Sequence, residues 1–211
     1  MVEVSTSQQS EFQFDLTGGH PALDLANSIS RRDNPARCKE HMASYADLIS
    51  FAVQDKILSP KEGKELRSFA DKNRGASSRS FRRAIELREA IYAVFAAAAR
   101  GRSTPDKAVR VVNDWALEAL QQRSLLAANG GFRWEWQTNG KNALDRIIWP
   151  IAQAASELLT SDELKLVRWC EAPDCEWLFL DHSRNRSRRW CDMKSCGNRA
   201  KARRHYQRVH E

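Results

Sequence analysis

The sequence contains no apolar run approaching the ~20 residues that a membrane-spanning helix needs, so no span is expected. Its start, Met1 to Ser10, lacks both the basic and the apolar segment of a secretory leader, which leads us to expect a cytoplasmic protein. Cysteine is scarce, five in 211 residues, and Cys38 stands far from the other four. Without export, disulfides are disfavoured and thiolate–metal ligation becomes the favoured use of the cysteines. Signatures of catalysis are missing too. No nucleophile–base pairing, phosphate loop or open-metal motif stands out, so an enzyme is not expected.

Charge is present but uneven. The net charge of +7 is not spread over the chain, because residues 1–183 hold 24 basic and 25 acidic groups. From Arg184 to Arg208 there are ten Lys/Arg against one acid, Asp192, a local charge of +9. That concentration points to a local electrostatic footprint rather than general solubility. An apolar content of 42% with seven Trp and eight Phe suffices for a sizeable core.

The four clustered cysteines read Cys170-x4-Cys175-x15-Cys191-x4-Cys196, and each pair follows a tryptophan, Trp169 and Trp190. Two short loops, each offering two sulfurs, suit one tetrahedral ion. Four thiolates fill the coordination sphere of Zn2+ and leave no open position, so one structural zinc is expected. His205 follows Cys196 by nine residues, roughly 13 Å along a helix, and is read as a surface or phosphate-facing group instead.

Residues 1–10 read as a disordered lead-in, 11–160 as a mostly helical domain and 165–211 as a metal module, joined by a short hinge at Ser161–Glu163. Phe12, Phe14 and Leu16 alternate as in a half-buried strand, and Phe132–Trp136 alternate again and are expected to pair with them. Helix starts are expected at Pro21, after Ser44, at the capping box Ser59-Pro60-Lys61-Glu62, near Ser78 and after Thr104. A further helix is expected over 142–159, kinked near Pro150. The metal module is expected to hold a knuckle at 170–175, strands near 177–180 and 186–190, and a helix over 196–209 with Ala202, Tyr206 and Val209 inward. The fold class is thus mostly α with a small β-ribbon, a helical N-terminal domain plus a C-terminal treble-clef-like zinc finger.

Two sets of candidate site residues follow. Arg184, Arg186, Arg188, Arg189, Lys194, Asn198, Arg199, Lys201, Arg203 and Arg204 form a basic set interleaved with Trp190 and Tyr206, as expected of a nucleic-acid surface rather than a solvated face. Gly197 is read as leaving room for backbone amides near the sulfurs, and Asn198 as a helix cap or base contact. In the helical part, His20, Asp24 and Asn27 fall on one side of a helix, with Arg88 as a counter-charge for Asp24 or for an anionic ligand. A buried structural ion pair plus a cap is the preferred reading there, and an effector pocket the alternative.

Over Trp190-Cys-Asp-Met-Lys-Ser-Cys-Gly-Asn-Arg-Ala-Lys201, with Phe179-x-Asp181 and Arg188-Arg189 before it, the chain resembles the CGNR zinc-finger family. Gly18-Gly-His-Pro-Ala-Leu-Asp-Leu-Ala-Asn-Ser28 and Ala84–Val94 are similar to the alanine-rich domain, ABATE, of stress-induced transcription regulators. The resemblance implies a bacterial transcription regulator that holds double-stranded DNA. Its helical part would sense a small-molecule effector or associate as a homodimer. The alternatives are an RNA- or ribosome-associated zinc protein, and a redox or metal sensor acting through the four cysteines.

Overall fold

Serine and proline set the first helices. The computed structural model describes residues 12–138 and 140–210, so the lead-in expected over 1–10 lies outside the described residues. Helix α1, Pro21–Ala26, opens on proline, with the His20 ring accepting from the Ala22 amide. Ser44 caps α2, Tyr45–Gln54, and the Ser59/Glu62 capping box opens α3, Pro60–Lys72. The long α4, Arg74–Ala99, begins four residues before the expected Ser78, because Asn73 closes α3 through the Phe69 carbonyl and the chain turns at once into the next helix. Helix α5, Asp106–Gln121, follows Pro105.

Two expectations in this region fail, for local reasons. Strand β4, Gly131–Trp136, pairs with β3, Arg123–Ala128, and not with Phe12–Leu16. Asn129-Gly130 forms a two-residue turn with Gly130 at φ 84°, and such a turn fixes the two flanking segments as partners. Phe12–Leu16 runs instead as extended chain along α2, where the Gln54 side chain supplies the missing pairing. Its Oε1 accepts from the Phe14 amide at 2.8 Å and its Nε2 donates to the Phe12 carbonyl at 2.8 Å. The single helix expected over 142–159 is also divided ahead of Pro150. A 3-10 segment, Gly140–Ile147, precedes α6, Ile148–Thr160, and places Pro150 in the first turn, where a missing N–H costs no helical bond.

The core gathers Leu23 and Leu25 of α1, Phe51 of α2, Leu87, Ile91 and Phe95 of α4, Trp115 of α5, and Trp149 and Ile151 of α6. Val167, Leu178 and Leu180 join that same cluster. They come from the antiparallel pair β5, Val167–Trp169, and β6, Leu178–Leu180, which is the first hairpin of the metal module. Ser161–Glu163 leads into a 3-10 segment, Asp162–Leu166, with Ser161 as its cap and Leu166 buried. A minimal ribbon, β1 Ile29–Ser30 with β2 Lys39–Glu40, completes the helical part.

Residues 186–190 form no strand. Asp181, fully buried, accepts from the Ser183 amide at 3.0 Å and the Arg188 amide at 2.9 Å, which folds the segment back as a loop. The partner of Leu178–Leu180 is therefore Val167–Trp169. After a π-turn, Met193–Gly197, comes α7, Asn198–His210. Its expected inward face is not inward: Tyr206 is 66% and Val209 63% exposed. The order of knuckle in a hairpin, loop and helix after the last cysteine keeps the treble-clef-like arrangement.

Candidate metal centre and basic surface

Four cysteines meet where three local structures end. Cys170 and Cys175 sit in the knuckle between β5 and β6, Cys191 follows the loop, and Cys196 lies in the π-turn before α7. All four are buried, and their sulfurs lie within 4.8 Å of one another. Cys175–Cys191 and Cys191–Cys196 are each 3.6 Å apart, and no pair is bonded as a disulfide. A tetrahedral site with Zn–S near 2.3 Å has sulfur–sulfur edges of about 3.8 Å, so the cluster fits one zinc ion and has no place for a further ligand. Cys38 is exposed and takes no part.

Donors converge on the sulfurs. The Cys191 amide donates to Cys170 Sγ at 3.4 Å, and the Arg199 guanidinium donates to Cys196 Sγ at 3.1 Å. Hydrogen bonds within the cluster, that of Cys170 first, hold the Cys196 thiol far below its ordinary value and push the Cys175 and Cys191 thiols up, so the four sulfurs share their protons unevenly. The Arg199 guanidinium beside Cys196 favours the thiolate that metal ligation requires. Gly197 has a different role from the one expected: a Cβ there would meet Met193 Sδ at 2.9 Å, so the glycine lets the π-turn close on the Met193 side chain and not on a cysteine sulfur.

The basic set divides in two. Arg188 stacks over Phe179 at 4.5 Å and donates to the carbonyls of Trp190 and Cys191. Arg189 pairs with Glu171 at 2.5 Å, and Arg199 is held on Cys196. These three arginines brace the metal centre. Asn198 is likewise engaged, donating to the Lys194 carbonyl at 3.0 Å across the π-turn. Arg184, Arg186, Lys194, Lys201, Arg203 and Arg204 are exposed, with no acidic partner among the described residues. In α7 every side chain from Lys201 to Val209 is exposed, and the helix packs chiefly against its own π-turn.

The other three helical-domain candidates, His20, Asp24 and Asn27, do not form a common pocket with Arg88. Arg88 lies 3% exposed and is clamped bidentately by Glu40, at 2.7 Å to each oxygen, with Ser28 and Glu89 as further partners. Its ion pair is thus with Glu40 rather than Asp24, a partner that sequence periodicity could not reveal because it lies on a two-residue ribbon strand. Asp24 caps locally, accepting from the Gly18 amide at 2.8 Å and the His20 amide at 3.2 Å. Burial pushes its carboxyl up to about 7. Asn27 faces the metal module, exchanging hydrogen bonds with the Leu178 backbone.

No helix among the described residues is long and apolar enough to cross a membrane. A family model described as "Putative stress-induced transcription regulator", ABATE, matches residues 19–162, and the CGNR zinc finger model matches residues 167–209. No curated protein matches the chain. With the first match covering most of its length, the chain belongs to the ABATE family and ends in a CGNR zinc finger.

Proposed function

We propose that the protein is a zinc-dependent bacterial transcription regulator that holds double-stranded DNA by inserting α7 in the major groove. The observation carrying this reading is the exposure of α7, a 13-residue helix whose residues from Lys201 to Val209 are all exposed. Such a helix is marginal alone in water and gains order from a partner. Lys201, Arg203, Arg204, His205 and Arg208 spread over about 200° of its circumference. A major groove about 12 Å wide, walled by phosphates on both sides, matches that distribution.

The bound zinc would supply a rigid crosslink and no chemistry on a substrate. Cys196 anchors the start of α7, Arg199 neutralises charge on the thiolates, and Arg188 fixes the loop before Cys191. The protein acts by binding, not catalysis. The test is competition between a labelled DNA duplex and a structured RNA hairpin of matched charge, using zinc-loaded full-length protein at one salt concentration. The duplex should displace the hairpin. Tighter binding to the hairpin would replace this reading with an RNA-associated role.

A further inference from the structure

A cleft of about 380 Å3 lies between the helical part and the zinc finger. The helical part contributes Asp15, Ser30, Arg31, Lys39 and His41, and the zinc finger contributes Asp174, Trp177 and Arg199, beside three of the four cysteines. A smaller cavity of about 210 Å3 shares Asp15, Ser30, His41 and Trp177 with it. We propose that this cleft binds a small ligand carrying one oxyanion, a carboxylate or a phosphate, between Arg31 and Lys39 on one side and Arg199 on the other.

Three observations converge on the cleft. Its cations are incompletely engaged, since Arg31 reaches Asp174 only at 4.0 Å and Lys39 has no acidic partner among the described residues. His41, lining both cavities, bonds Ser30 through Nε2 at 2.9 Å while its buried Nδ1 has no partner among the described residues. His41, held by Ser30, thus gives the two cavities a shared polar wall. The backbone is also forced at the rim. Arg31, at φ 58°, adopts the left-handed region that non-glycine residues avoid. Such conformations persist where surrounding structure holds a side chain in place, here the Arg31 guanidinium at the cleft.

Arg199 gives the cleft a readout. It touches Cys196 and lies in the first turn of α7, so a ligand oxyanion competing for its guanidinium would weaken the contact that sets the helix. This consequence rests on the nucleic-acid reading of α7, whereas ligand binding itself does not.

The test is calorimetry on zinc-loaded full-length protein with benzoate, phenyl phosphate and inorganic phosphate as probes and benzyl alcohol as the neutral control. At least one anion should bind saturably at one per chain, and benzyl alcohol should not. The better of benzoate and phenyl phosphate identifies the oxyanion class. Arg31→Asn keeps a residue tolerant of the left-handed backbone, and Lys39→Ala changes an exposed position. Each should weaken anion binding by about tenfold while leaving zinc content and probe-free duplex affinity unchanged. Absence of saturable anion binding, equal binding by both variants, or equal binding of benzyl alcohol would overturn the site. Anion binding by a protein that ignores duplex DNA would keep the site and remove only the reading of α7.

Discussion

The Asn27 side chain pairs with the Leu178 backbone in both directions, its Nδ2 donating to the carbonyl at 2.8 Å and its Oδ1 accepting from the amide at 2.9 Å. A side-chain amide thereby completes a strand edge 151 residues away. Around it the Leu180 amide donates to the Gly18 carbonyl at 3.0 Å, and Trp177 Nε1 donates to the Ile29 carbonyl at 3.1 Å. Gly18 is confined from the other side, since a Cβ there would meet Asp24 Oδ1 at 2.8 Å. The zinc finger's first hairpin is thus seated on α1.

Asn27→Ala should therefore loosen the hairpin's seat. It leaves a buried N–H and a buried C=O of Leu178 unpaired, at about 1–3 kcal/mol each. Hydrogen exchange should accelerate at Leu178–Leu180 far more than in α4. Unchanged protection of those amides would show the pairing to be incidental.

Purified protein should contain one zinc per chain. Cys191→Ser, or removal of zinc by a chelator, should abolish protection in the knuckle and in α7 while α4 and α6 stay protected, because the module's own buried cluster is built from the four cysteines with only Ala172 and Phe179. Metal analysis finding no zinc, or an ordered α7 in Cys191→Ser protein, would refute this.

Capping chemistry and cysteine spacing are local signals, and they read correctly from the chain: Ser44, Ser59 with Glu62, Pro21 and the four cysteines all stand where expected. Partner choice is a tertiary matter and read less well. Phe12–Leu16 has an alternating pattern, yet Gln54 satisfies its backbone in place of a strand. Arg88 had a visible need for a carboxylate, but nothing in the pattern distinguished Glu40 from Asp24. Likewise the basic run showed its charge and concealed that Arg188, Arg189 and Arg199 are engaged within the module, by carbonyls, a carboxylate and a thiol. The asparagine–glycine turn at 129–130 was legible in principle, as it specifies a hairpin with the segment just before it.

The Arg88–Glu40 clamp should be structural. Glu40→Gln strands a guanidinium that is 3% exposed, and the cost should be about 2 kcal/mol. That is below the ~3–5 kcal/mol of a wholly buried pair because Glu40 is partly open to water and Glu89 still contacts Arg88. Urea unfolding measures it. Arg88→Ala protein with full stability but no response to any of the anionic probes would make Arg88 a ligand contact instead.

Asp24 should make stability rise as pH falls from 8 to 6. Its folded carboxyl is raised to about 7 from an ordinary 3.8, chiefly by burial, so the folded state binds the proton more tightly than the unfolded chain. Below the folded value the stabilising proton is on, and it is lost as pH rises through about 7. Over that interval the gain is about 1.4 kcal/mol, and Asp24→Asn should abolish it. Staying above pH 6 limits thiolate protonation at the zinc site. Parallel pH profiles for the two proteins would show that the Asp24 carboxyl stays ionised in the fold.

The exposed basic residues should hold phosphates, and the braced ones should hold the metal. If about four of Arg184, Arg186, Lys194, Lys201, Arg203 and Arg204 touch phosphates at once, the logarithm of affinity should fall with the logarithm of salt at a slope of roughly −3 to −4. Arg203→Glu with Arg204→Glu should weaken binding to all duplexes alike and leave zinc in place, since both side chains project from α7 into solvent. Arg199→Ala should behave differently. It removes the donor 3.1 Å from Cys196 Sγ, so its first effect should be faster loss of zinc to a chelator. Fluorescence anisotropy across a salt series, run beside a zinc-release assay, separates the two classes. A salt-independent affinity, or full binding by the doubly reversed protein, would leave α7 a solvated helix with no part in recognition.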